Sequence, residues 1–129
     1  MFRLSRQLMF AGLLALPIAL VAGQAAQAQD RFGAISYSAS DGADGYSYNY
    51  ASRSAAEDRA LSECRGYGGT DCQVLVWFRN ACGAMAVSSS GAYGSGWGTT
   101  TGLAESAALG SCERSGASCQ IKRWVCTDR

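Results

Sequence analysis

Along residues 32–38, Phe-Gly-Ala-Ile-Ser-Tyr-Ser, apolar side chains alternate with small or polar ones, and 45–51 repeats the habit with tyrosines at every second place. That two-residue period, rich in strand formers, predicts a pair of strands. The stretch between them, Ser-Ala-Ser-Asp-Gly-Ala-Asp-Gly (38–45), is turn chemistry. The period then changes. Ala56, Ala60 and Leu61 recur at helical spacing up to Cys64, behind Ser54-Ala-Ala-Glu57, which has the form of a capping box. Gly66, Gly68 and Gly69 stop the helix, and the apolar run Gln73 to Phe78 predicts a further, mostly buried strand.

The same order of patterns returns. Cys-Gly-Ala-Met-Ala-Val-Ser (82–88) echoes 32–38, and Gly94-Ser-Gly-Trp97 echoes Gly45-Tyr-Ser-Tyr48. Ala104-Glu105, Ala108-Leu109 and Cys112 follow Ala56-Glu57, Ala60-Leu61 and Cys64, and Cys119-Gln-Ile with Trp124 follows Cys72-Gln-Val with Trp77. Matches kept in order, with single residues lost in the loops, mark a duplication. The spacing predicts strands near 83–88, 93–98 and 120–126 and a helix near 101–112, its start weakened by Gly102 at the place of Ser54. The expected fold is α+β: a β-β-α-β unit written twice (about 32–80 and 81–126), an antiparallel-rich sheet packed against two helices on one side. Trp77 and Trp124, inside apolar runs, are expected in the core.

The N-terminus changes the setting. Arg3 and Arg6 precede an apolar run from about Leu8 to Ala22, and Ala26-Gln27-Ala28 offers the small residues a signal peptidase reads, so residues 1–28 are expected to be a cleaved secretory signal. The run is short for a membrane span, and no membrane insertion is expected after cleavage. Residues 29–129 then form a single disulfide-stapled domain, periplasmic or extracellular. Loss of Arg3 and Arg6 from 11 basic residues leaves nine against ten acidic ones, a net charge of −1. A near-neutral chain carries no electrostatic footprint for nucleic acid.

Export also decides the reading of the six cysteines, which in an oxidising compartment form a disulfide framework rather than a zinc site. Their spacing makes no close CxxC knuckle, and the chain has no histidine, so no metal site is expected. Pseudo-symmetry suggests Cys64–Cys72 and Cys112–Cys119 as equivalent staples, leaving Cys82–Cys126, one of the many connectivities six cysteines allow. In the chain-entropy model the short loops contribute about 2.5 kcal/mol each and the long one about 4.

The runs Phe-Gly-Ala-Ile-Ser-Tyr-Ser, Gly-Tyr-Ser-Tyr-Asn-Tyr and Ser-Arg-Ser-Ala-Ala-Glu resemble the bacterial family of unknown function numbered 4189 (DUF4189). So does Cys-Gln-Val-Leu-Val-Trp-Phe-Arg-Asn-Ala-Cys-Gly-Ala-Met-Ala-Val. The resemblance covers about residues 32–126. It implies an exported protein with a cysteine-bearing duplicated domain and brings no activity, cofactor or catalytic residue with it.

Without histidine the usual serine and cysteine triads lose their base, and paired cysteines supply no thiolate. No P-loop or dinucleotide fingerprint is present, and no cofactor is implied. Two carboxylates in equivalent places, Glu57 and Glu105, are a candidate acid/base pair of the kind glycoside hydrolysis uses. Their position in a first helical turn favours the structural reading, helix capping and the helix dipole, over the catalytic one. Asp41, Gly42 and Asp44 fall short of a calcium loop and suit a hairpin turn. Tyr46, Tyr48 and Tyr50 share a strand face by their spacing, and Trp97 occupies the place of Tyr48 in the second copy. An exposed stripe of this kind binds a protein or stacks on sugar rings. The functional expectation is a non-catalytic exported module for an unknown protein or envelope glycan. The alternatives are an inhibitor or immunity protein against an envelope-acting enzyme and a histidine-free hydrolase using Glu57 and Glu105.

Overall fold

In a computed structural model of the chain, residues 29–128 are described. The leader expected over 1–28 lies outside the described residues. The elements run β1 (Phe32–Tyr37), β2 (Asp44–Tyr50), α1 (Arg53–Gly66), β3 (Gln73–Arg79), β4 (Cys82–Ser88), β5 (Tyr93–Gly98), α2 (Thr101–Glu113) and β6 (Cys119–Cys126). Both copies are therefore β-β-α-β units, as their periodicity requires.

The strands make two antiparallel three-stranded sheets, ordered β2-β1-β3 and β5-β4-β6, rather than one. Alternation along β1 shows what each face meets. Ala34 packs on Ala56 and Ala60 of α1, while Ile35, on the opposite face, joins Val76 and Phe78 to Met85 and Val125 of the other sheet. In the second unit Ala84 and Ala86 pack on Ala104, Ala108 and Cys112 of α2. Each helix packs on the strands of its own unit. The layers are thus helix, sheet, sheet, helix, and the two helices lie on opposite outer sides, not together on one side. A one-sided apolar face on each sheet would have allowed a single sheet; both faces here are apolar, so each sheet needs cover twice.

Small residues let the helices come close. A Cβ on Gly45 would lie 2.1 Å from the Ala60 carbonyl oxygen, and one on Gly94 would lie 2.2 Å from the Cys112 nitrogen. The Phe78 ring fills the space between the sheets that Gly33 and Gly83 leave open, each with room for no side chain (2.4 Å).

The helix starts correct the expected capping box. Ser52, not Ser54, caps α1, its side-chain oxygen accepting from the Ala55 N–H at 3.1 Å; Glu57 instead pairs with Arg53. Thr100 caps α2 in the same way through the Leu103 N–H, so the second start is as well formed as the first.

Three disulfides join Cys64 to Cys72, Cys82 to Cys126 and Cys112 to Cys119, the pairs that pseudo-symmetry suggests. The first and last close the helix-to-strand loop of each unit, while the second ties paired residues of β4 and β6.

Candidate functional site

Bulges decide where the aromatic side chains go. Tyr46 pairs with Ile35 and faces the second sheet, and Tyr48 lies on that side too. Asn49 then takes φ +62°, the β1–β2 register shifts, and Tyr50 comes down on the helix side against Ala34, Ala56 and Ala60. The expected tyrosine stripe is therefore split by the bulge. A groove of about 410 Å³ along the outer edge of β2 nevertheless brings Tyr46, Ser47, Tyr48 and Tyr50 together with Arg59 and Glu63 of α1. Tyr48 is 51% exposed. Arg59 Nη2 is 3.3 Å from Glu63 Oε1, and Glu63 Oε2 accepts the Tyr46 N–H at 3.1 Å. On its far side Tyr46 carries the Arg123 guanidinium 4.7 Å from its ring centre. Arg123 is held there by Asp44, whose carboxylate accepts from Nε at 2.7 Å and raises the guanidinium pKa further.

Trp97 lies elsewhere. It pairs with Gly83 on the inter-sheet side of β5, 59% exposed, and with Leu75, Val76, Trp77, Phe78 and Arg79 it lines a second groove, of about 400 Å³, beside β3. Val76 and Phe78 bury their side chains, so what they present to this groove is main chain.

Trp77 and Trp124, expected in the core, are 38% and 53% exposed. Both sit on edge strands, on the face toward the helix layer but beside it, since each helix lies mainly over the first two strands of its unit. Trp77 is covered by Arg53, 4.3 Å from its ring centre, and by Phe32 at a centroid distance of 6.4 Å.

The carboxylate pair is not assembled. Glu57 is engaged by Arg53 on α1, and Glu105 lies on α2 beside Ile121, Lys122, Arg123 and Trp124. Two sheets, themselves about 10 Å apart, separate the two helices, so no shared cleft holds both groups. The single cleft that the hydrolase alternative would need from Glu57 and Glu105 is therefore not formed.

Sequence reasoning did not find the polar cluster at the tip of the first unit. Asp41 accepts from the Ser38 hydroxyl at 2.7 Å, the Thr70 N–H at 2.7 Å and the Thr70 hydroxyl at 2.8 Å. The Ser38 oxygen also lies against Asp71, its single proton serving one carboxylate at a time, and Asp71 accepts from the Ser40 hydroxyl at 2.8 Å. The Ser38 hydroxyl, and then Thr70, hold the Asp41 carboxyl down at about 2, and Asp71 is lowered chiefly by Ser38. The serines and threonine flanking the two aspartates carry the only signal. The cluster braces the β1–β2 hairpin to the loop closed by Cys64–Cys72.

The chain is similar to known proteins in sequence and in fold. Protein Rv1269c of Mycobacterium tuberculosis (strain H37Rv) and Protein Mb1300c of Mycobacterium bovis are each 45% identical to the chain over 84 residues. The match takes in 65% of this chain and 63% of either relative, so the chain spans less than two thirds of the length of these curated relatives. The NMR structure of Rv1813c from Mycobacterium tuberculosis superposes with a TM-score of 0.55 at 26% identity, covering 96% of this chain and 98% of that one. A family model covers both repeats, residues 32–126, and the chain belongs to the family it describes, Domain of unknown function (DUF4189).

Proposed function

We propose that the protein is an exported, non-catalytic binding module that takes a saccharide of the bacterial envelope in the tyrosine groove at the β2 edge. The observation that carries this reading is the lining of that groove: the half-exposed Tyr48, flanked by Tyr46 and Tyr50, beside the Arg59–Glu63 ion pair around a space of about 410 Å³. A sugar presents apolar C–H faces that pack on aromatic rings and hydroxyls that both donate and accept hydrogen bonds. Arg59 offers donors and Glu63 acceptors beside the rings. Three disulfides suit an oxidising compartment. Glu57 and Glu105, on opposite outer layers, favour binding over hydrolysis.

Calorimetric titration with soluble peptidoglycan fragments, with dextran as control, tests the reading. Binding of the fragments, weakened about tenfold or more by Tyr48→Ala and by Arg59→Ala with the fold retained, is the expected result. Absence of binding to envelope saccharides, or binding indifferent to both substitutions, overturns it.

A further inference from the structure

Four strands end the two sheets, and their free edges are not alike. An unguarded edge presents a row of main-chain donors and acceptors ready for another strand, and proteins blunt it with charges, weak strand formers or side-chain caps. At β2 the Glu63 carboxylate takes the Tyr46 N–H. β6 carries Lys122 and Arg123 in mid-strand, and β5 alternates glycines at 94, 96 and 98, which weaken a strand. β3 is different. It carries a bulge at Leu75, whose carbonyl accepts from the Ser95 hydroxyl at 3.1 Å, but its sequence Gln-Val-Leu-Val-Trp-Phe-Arg consists of strong strand formers with no charge before the last residue. Trp77, partly covered by Arg53, flanks this edge on the helix side, and the more exposed Trp97 flanks it on the inter-sheet side.

The geometry points to β3 as the self-association edge of the protein, where it pairs antiparallel with β3 of a second copy about a two-fold axis. Charge selects this occupant. The strand ends in Arg79, whose side chain is 60% exposed with only a 3.8 Å contact to Asp30, and it is preceded by the exposed Asp71. Antiparallel pairing sets the Arg79 end of each copy against the Asp71 end of the other, two opposite-charge contacts related by symmetry. A parallel arrangement would place like charges together. The pairing continues each three-stranded sheet into one of six strands and covers Trp77 and Trp97 of both copies.

Sedimentation equilibrium on the oxidised exported protein tests this, run from about 1 µM to about 500 µM. A monomer–dimer equilibrium is expected, with the dimer weakened about tenfold or more by Arg79→Glu. Trp97→Lys, which places a charge at an exposed site beside the edge, should leave a monomer with an unchanged circular dichroism spectrum. As a second readout, hydrogen exchange at the outward β3 amides should slow with rising concentration while exchange along β6 stays constant. A monomer throughout the range, a dimer indifferent to both substitutions, or a monomer that takes up an unrelated extended peptide at β3 would each overturn the inference.

Discussion

The two repeats solve the same packing problem with different chemistry. In the first, strand hydroxyls reach into the helix backbone: the Ser36 hydroxyl donates to the Ala60 carbonyl and the Ser47 hydroxyl to the Ala56 carbonyl, both at 2.6 Å. At the equivalent places the second repeat has Ala86 and Gly96, and its helix rests on alanine methyl groups and glycine backbone with no hydroxyl between. The tips differ in the same sense. The first hairpin carries one extra residue, Asp41, which ties it to Thr70 and the neighbouring loop, whereas the second closes through Ser88 and Gly91 with no carboxylate. The sides of the sandwich follow suit, with Asp44–Arg123 on one side and the edge-to-face pair Tyr37–Tyr93 on the other. One backbone plan thus accepts a polar and an apolar filling. The polar filling should respond to acid, and the apolar one should not.

Transplanting one solution into the other copy is the most severe test. Gly96→Ser gives the second repeat the residue of the first, but its Cβ would lie 2.4 Å from the Ala107 Cβ and 2.8 Å from the backbone of that turn. A loss of about 2–3 kcal/mol in chemical denaturation is expected. The reverse exchange should cost less. Ser47→Ala removes a buried hydrogen bond whose acceptor, a helix carbonyl, keeps its place in the ladder, so about 1 kcal/mol is expected, and similarly for Ser36→Ala. A loss for Ser47→Ala equal to that for Gly96→Ser would mean that the hydroxyls, not the close approach, position the helices.

The smallest effect lies at the tip. Asp41 has a folded pKa of about 2 against an ordinary 3.8, so its hydrogen bonds stabilise the native state at every pH above about 4 and are lost as pH falls from there toward 2. Thermal melts of Asp41→Asn should be lower than those of the parent near neutral pH and should converge on them below about pH 3. Parallel melting curves down to pH 2 would remove Asp41 from the account of acid sensitivity.

Much of this was legible in the chain. The duplication, the type and order of all eight elements and the cysteine pairing follow from period and symmetry, which are local or internal to the sequence. Other features were hidden for identifiable reasons. Val74 and Val76 have the same parity in the sequence, yet Val74 faces α1 and Val76 the other sheet, because the register shift at Leu75 resets the alternation. The bulge at Asn49 does the same to Tyr50. Ser54 looked like a cap because Glu57 follows it at capping-box spacing; Ser52 caps instead, and Glu57 turns to Arg53. The tyrosine groove was partly visible as Tyr46, Tyr48 and Tyr50, but Arg59 and Glu63 come to it from a separate helix.

By itself the sequence determined what each segment is and which side chains repeat, since strand and helix periods and the cysteine symmetry act over a few residues or between equivalent ones. Only the tertiary structure decided that two sheets stack face to face with a helix outside each. An alternating pattern says that a face must be covered and is silent on what covers it. That stacking separates Glu57 from Glu105, leaves Trp77 and Trp124 beside their helices rather than beneath them, and sets Trp97 next to the free edge of β3.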